Sequence, residues 1–526
     1  MKLPILFALV SGALLSAVSA AEPVAPFESQ SALQRVPPLS GKIDELVFAK
    51  QRQVGLQRAN ICSDAVFLRR VSLDLIGSLP TAEEAQAFLE DKDPNKRSAL
   101  IDRLLERGEF ADYWGMRWGD VLRVKSEFPV NLWPNAAQAY DRWIREGLRL
   151  NVPYSQFAQE ILTASGSNFR NPAVNFYRAD NKDPKAIARA VALVFMGQRA
   201  EKWPESQQAN LAVFFSRIGF KKTGEWKEEV VYFDGVDGSH KMPAEATLPD
   251  GTTVRLPPGQ DPREIFARWL LTSKNSPFAA NAANRIWYWL VGRGIVHEPD
   301  DMRADNPPTN PELLAWLTRE FVSSGYDLKH LCRAILNSNT YQLSSIPAAD
   351  QPKGAAYFAF CPLRRLEAEV LIDAINQITG AQEEYASMIP EPFTFIPADK
   401  RSIALPDGSI TSSFLEIFGR PPRDTGLLSE RGDRTTTAQR LHLLNSGQIL
   451  RKINKSENLR GIFRSPGGAN EVITKLYLTI LSRYPTDDEK KAVQAYAQSG
   501  EVKGGWKAMQ DLTWALLNSP EFVFRH

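Results

Sequence analysis

From Ile43 onward the apolar positions recur at helical spacing, and polar residues mark where each helix begins and ends. Thr81, followed three residues later by Glu84, has the form of a capping box, and Thr486 with Glu489 repeats it near the other end. Asn310-Pro311-Glu312 is a third helix start. Leu313, Leu314, Leu317, Phe321 and Val322 follow on one face, and Gly325 is the expected stop. A short phrase recurs: Ile335-Leu336-Asn337-Ser338, Leu443-Leu444-Asn445-Ser446 and Leu516-Leu517-Asn518-Ser519. Its unequal intervals exclude a solenoid period. The expected role is helix termination, with Asn in the left-handed conformation. Only one region breaks the pattern. Glu229–Phe233 is strand-like, Asp234-Gly235 and Asp237-Gly238 are turns, and 246–256 around Pro249-Asp250-Gly251 is a hairpin. The predicted fold is mainly α: a helical domain over 43–219, a small β insertion over 220–259, and a second helical domain over 260–526.

The first 42 residues stand apart. Met1–Ala20 has a basic start at Lys2, an apolar run and small residues at Val18-Ser19-Ala20, the form of a cleavable secretory signal. Residues 21–42 then form a linker. No later segment has about twenty unbroken apolar residues, so the expected mature chain is exported, periplasmic or secreted, without a transmembrane segment. Lys plus Arg number 63 against 61 Asp plus Glu. That balance argues against nucleic acid as a partner. Export also colours the three cysteines: Cys332 could pair with Cys361, or all three could be buried thiols.

Several longer phrases carry a family likeness. In the first block they are Phe67-Leu68-Arg69-Arg70-Val71-Ser72-Leu73-Asp74-Leu75-Ile76-Gly77 and Trp114-Gly115-Met116-Arg117-Trp118-Gly119-Asp120. In the second they include Asn284-Arg285-Ile286-Trp287, Asp300-Asp301-Met302-Arg303, Asn306–Glu312 and Phe418-Gly419-Arg420-Pro421-Pro422-Arg423. The chain resembles two-domain exported proteins of planctomycetes, in which a cytochrome-associated domain precedes a planctomycete-specific C-terminal domain. The resemblance implies export, frequent linkage to a haem module and a setting of polysaccharide degradation, but no established reaction. Many relatives carry Cys-x-x-Cys-His late in the first domain. Here the corresponding run, Val194–Pro204, has neither Cys nor His, so covalent haem is not expected and no other cofactor is implied.

Two clusters could carry chemistry. The first places His297, Asp300, Asp301, Arg303 and Asn306 in a loop after the helix bearing Arg285 and Trp287. Adjacent carboxylates with a His suit a divalent metal on Asp300 and Asp301, or an acid–base pair with His297. The same residues could instead tie the loop to its own backbone and pair Asp301 with Arg303. The second cluster, 419–434, interleaves Arg420, Arg423, Arg431 and Arg434 with Asp424, Glu430 and Asp433. Arginine forks suit carboxylate or sulfate, and the alternative is an internal ion-pair network. Tryptophans could stack on sugars, although Trp114 and Trp118, four apart, have core spacing; Trp133, beside Pro134, is the best candidate for exposure. Neither a G-x-S-x-G elbow nor an H-E-x-x-H helix occurs. The sequence therefore leads to an exported ligand-binding or accessory protein for anionic or neutral glycans. A carboxylate- or metal-dependent hydrolase or lyase, and a structural partner of a separate cytochrome or other exported protein, are the alternatives.

Overall fold

Each of the three helix starts forms as its side chains dictate. The Thr81 hydroxyl accepts from Glu84 N at 3.1 Å while the Glu84 carboxylate accepts from Thr81 N at 2.9 Å, opening the helix Ala82–Glu90. Thr486 and Glu489 make the same reciprocal pair at Asp487–Gln498. Asn310 accepts from Leu313 N at 3.1 Å, Pro311 takes the first helical position, and Pro311–Ser323 ends before Gly325 at φ 72°. The computed structural model describes residues 41–180, 182–235, 243–272, 276–432, 434–499 and 504–526. Residues 1–40, which hold the signal and nearly all of the linker, the Asp237-Gly238 turn and Asp433 lie outside the described residues, and Lys42 already begins the first helix, Lys42–Gln53.

Two of the three Asn-Ser phrases end helices by a different device from the one expected. Asn337 and Asn518 have φ of −77° and −92°, not left-handed values. Their side-chain amides instead donate to the carbonyls four residues back, Arg333 and Trp514, each at 2.9 Å. The serine then starts the next turn: Ser338 Oγ accepts from Tyr341 N and Ser519 Oγ from Phe522 N, both at 3.2 Å. One dipeptide thus satisfies an orphan carbonyl of one helix and an orphan N–H of the turn that follows.

The fold is mainly helical, with small sheets. β1 (Gly166–Ser167), β2 (Ile218–Lys222) and β3 (Glu229–Phe233) form an antiparallel sheet in the order β1-β3-β2. β4 (Glu245–Thr247) and β5 (Thr253–Arg255) make the expected hairpin. A further pair was not foreseen: β6 (Arg364–Arg365) lies antiparallel to β7 (Phe524–Arg525).

The two helical blocks share one continuous core running from Ile43 to Val523. Trp114 and Trp118, on the helix Gly108–Val121, meet Trp289 of the helix Ser276–Val291 edge-on, with ring centroids 5.6 and 5.2 Å apart. The helix Asp64–Ile76 is buried from Val66 to Ile76 and carries Arg69, Arg70 and Asp74 inside. Their hydrogen bonds reach remote segments. Arg69 donates to the carbonyls of Ile480 and Phe522, and Arg70 to those of Tyr341, Leu343 and His526. Buried charge in an apolar helix is tolerated here because each group is met by such partners. Cys62, Cys332 and Cys361 are buried free thiols, so the Cys332–Cys361 pairing does not form in this structure. Among the described residues no helix is long and apolar enough to cross a membrane.

Candidate functional site

The two predicted clusters meet at one contact, between Asp300 and the backbone of Leu428. Asp300 is 2% exposed; Oδ2 accepts from Leu428 N at 2.7 Å and Oδ1 lies 3.4 Å from Arg285 Nη2. Arg285 is fully buried and donates to the carbonyls of Val194 and Leu193. Burial raises the Asp300 carboxyl despite that arginine. Asp301 turns to Arg303 and Lys202, Arg303 also pairs with Asp305, and Asn306 donates to the Asp301 carbonyl. His297 lies beside Tyr288, the rings tilted at 36° with centroids 6.3 Å apart, and Glu298 is 4.0 Å away. Among the described residues no group of three or more His, Cys, Asp and Glu comes together as a metal would require. In this arrangement the side chains of Asp300, Asp301, Arg303 and Asn306 tie the loop to its neighbours and to its own backbone. Trp287 is fully buried against Phe358, a core residue and not a ligand platform.

The arginines of the second cluster converge from long range. Arg423, 1% exposed, donates Nε to Asp120 Oδ1 at 2.9 Å and its remaining donors to the carbonyls of Val124 and Met116. Its guanidinium lies flat on Gly119, where any Cβ would come within 3.1 Å of it. Arg420 is spent on the Asp407, Gly408 and Ile410 carbonyls, with Glu369 at 3.4 Å; burial, with Arg423 beside it, lowers it to about 10. Arg431 bridges Asp120 at 2.7 Å and Glu369 at 2.6 Å. Glu430 accepts from the N–H groups of Asp424 and Thr425, pinning the loop. Arg420, Arg423 and Glu430 are thus structural groups behind the site, whereas Arg431 reaches its wall.

That wall encloses a pocket of about 190 Å³. Arg117 and Asp120 come from the helix Gly108–Val121, Tyr288 and Trp289 from Ser276–Val291, Arg364 and Arg365 from β6, and Arg525 from β7. Glu367 is part of the same lining. It pairs with Arg117 at 2.5 Å and with Arg525 at 2.6 Å. Burial alone would raise the Glu367 carboxyl, but Arg525 and Arg117 outweigh it and hold the group far below the usual carboxylate range. Asp120 is held low in the same way by Arg431 and Arg423. Arg364 donates to the carbonyls of Trp289 and Leu290 and faces Asp74 at 3.3 Å. It passes directly over Gly292, whose φ is 88°; a Cβ there would lie 2.5 Å from Arg364 Cδ. Five arginines and two carboxylates line the pocket. Counting the buried Asp74 and Glu369 behind them still leaves positive charge in excess. The other side is apolar: Leu363, Pro421, Leu427, Leu428 and Phe524.

Residues 42–215 match the family model PSCyt2, Protein of unknown function (DUF1549), and residues 262–497 match PSD1, Protein of unknown function (DUF1553). The chain belongs to this two-domain planctomycete-type, cytochrome-associated family. No curated protein and no solved structure matches it. In this family member the pocket is composite: Arg117 and Asp120 lie within the first match, Tyr288 to Arg431 within the second, and Arg525 beyond both. The strands β2 to β5 fall between the two matches. The first part of the run, Val194-Phe195-Met196, packs into the core here, with the Val194 carbonyl held by Arg285 and Asn281, whereas Glu201, Lys202 and Pro204 are exposed.

Sequence reasoning missed Arg117, Asp120, Arg364, Arg365, Glu367 and Arg525 as site residues. A signal existed. Arg364-Arg365-Leu366-Glu367-Ala368-Glu369 alternates charge with apolar residues at the mouth of a helix, and Arg117 and Asp120 sit among buried tryptophans. Charges placed inside an apolar pattern point to buried pairs or to a ligand.

Proposed function

We propose that this is an exported ligand-binding or accessory protein whose pocket takes one anionic group, a carboxylate or sulfate, of an organic acid or acidic sugar unit. The observation that carries this is the excess of arginine over carboxylate on the pocket wall. Guanidinium forks suit planar and tetrahedral oxyanions, and the apolar side with Tyr288 and Trp289 offers a surface for a ring or its C–H face. Binding is favoured over hydrolysis by the state of the pocket acids. A two-carboxylate mechanism needs one carboxyl kept protonated. Asp120 and Glu367 are both held ionised by arginine.

The test is calorimetric titration of the mature protein with uronic and sulfated oligosaccharides and with inorganic sulfate, together with product analysis. Saturable binding without product is expected, and Arg364→Ala, which removes a cation from the wall, should weaken it about tenfold or more. Binding unaffected by Arg364→Ala, or turnover of the oligosaccharide, would sink the proposal.

A further inference from the structure

The most exposed large apolar side chains of the described chain gather in one place. Met388 is 86% exposed, Phe128 82%, Trp226 67% and Phe395 66%; no other large hydrophobic group among the described residues exceeds 58%. Three loops bring them together. Trp133 and Trp226 meet with ring centroids 6.4 Å apart at 81°, and Phe393 joins Trp133 at 5.4 Å and 61°. The Lys227 ammonium lies 4.4 Å from the Trp133 ring centre and 5.4 Å from that of Trp226, fixing the pair. Glu127 accepts from Met388 N at 3.0 Å and joins the Phe128 loop to the Met388 loop.

Apolar exposure on this scale marks a contact surface. Its chemistry narrows the occupant. Aromatic rings dominate, and their mutually inclined planes offer successive facets, not one flat plate. The loops 125–133, 223–228 and 384–397 carry five Glu and two Lys. One of those lysines, Lys125, is buried and paired with Asp424. Three of these glutamates, Glu225, Glu384 and Glu391, are exposed. Such carboxylates suit hydroxyl groups, which donate to them, above C–H faces that stack on rings. We propose that this surface is a stacking platform for an uncharged polysaccharide chain, separate from the arginine-lined pocket and independent of what that pocket binds.

The experiment is native affinity electrophoresis of the full mature chain in gels containing hydroxyethyl cellulose, arabinoxylan, galactomannan or, as the acidic comparison, a carrageenan. Retardation is expected in at least one neutral gel. Trp226→Ala, at a side chain that is two-thirds exposed, should weaken it about tenfold, with Phe395→Ala adding to the loss. Leu150→Ala, an exposed apolar residue elsewhere, should leave retardation unchanged. Three outcomes would overturn the proposal: no retardation in any neutral gel, retardation that survives Trp226→Ala, or a concentration-dependent dimer in sedimentation that Trp226→Ala abolishes. The last would assign the surface to a second copy of this chain.

Discussion

Replacing Asp120 by Asn would isolate the charge that holds the pocket wall together. Asn keeps the shape and one oxygen acceptor, so the change is almost purely electrostatic. Asp120 meets Arg423 at 2.9 Å and Arg431 at 2.7 Å, with the three side chains 13%, 1% and 15% exposed. Arg431 would keep Glu369, but Arg423 would lose the carboxylate it pairs with. Removing one partner of a buried pair costs about 3–5 kcal/mol. The surviving acceptor and the Glu369 pair place this case near the lower end, at about 3 kcal/mol. At about 2.1 cal/mol/K per residue, unfolding of a chain this long carries an entropy of about 1 kcal/mol/K, so the midpoint should fall by roughly 3 °C. Scanning calorimetry reads this directly. The pH dependence supplies a second check. The Asp120 carboxyl is lowered on folding, so its contribution is present above the unfolded value near 3.9 and is lost as pH falls through the lower folded value. The gap between wild type and Asp120→Asn should therefore narrow progressively as pH falls below the unfolded value. A gap that is independent of pH, or a variant at least as stable as wild type at neutral pH, would refute the electrostatic account.

Other outcomes follow from the same structure. His526 is held down to about 3 by burial beside Arg69 and Arg70, so its neutral form stabilises the fold above an unfolded value near 6.5. Stability should decline as pH drops from about 6.5, and His526→Gln should flatten that decline in calorimetric scans. Gly292→Ala forces a strained φ and collides with Arg364; a loss of about 1–3 kcal/mol in denaturant titration is expected, along with weakened sulfate binding. Wild-type sulfate affinity in that variant would show that Arg364 is not placed by this glycine. Ser519→Ala removes the acceptor for Phe522 N and should cost about 1 kcal/mol by the same titration. No measurable change would remove the Asn-Ser phrase from the list of helix signals.

Local chemistry was legible in the sequence. Thr81, Asn310 and Thr486 each announce a helix start because a cap depends on residues three or four positions apart. The hairpin around Pro249-Asp250-Gly251 is local in the same sense. The pairing of β6 with β7 was not legible, because two-residue strands carry no alternation and their partners lie some 160 residues apart. The candidate site was half legible. Arg431 was found, but Arg420 and Arg423 look the same in sequence, and only the fold shows them turned inward onto carbonyls and Asp120. The Asp300-Asp301 pair divides for a related reason: adjacent residues of one loop turn to different neighbours, one to Arg285 and one to Arg303. The Asn-Ser phrase was recognised as a helix end, but its mechanism was not, since left-handed closure and side-chain closure leave the same trace.

The shared core has a consequence for how this chain can be divided. Two family models describe it as two units in tandem, yet Trp114, Trp118 and Trp289 interlock across them, and Arg525 bonds Tyr113 from 412 positions away. Cutting the chain between β2 and β3 would not release two working modules. It would yield fragments that behave as obligate subunits, each presenting bare indole rings until it finds the other. Description by module and folding by module come apart here: what two family models describe separately is held by one core.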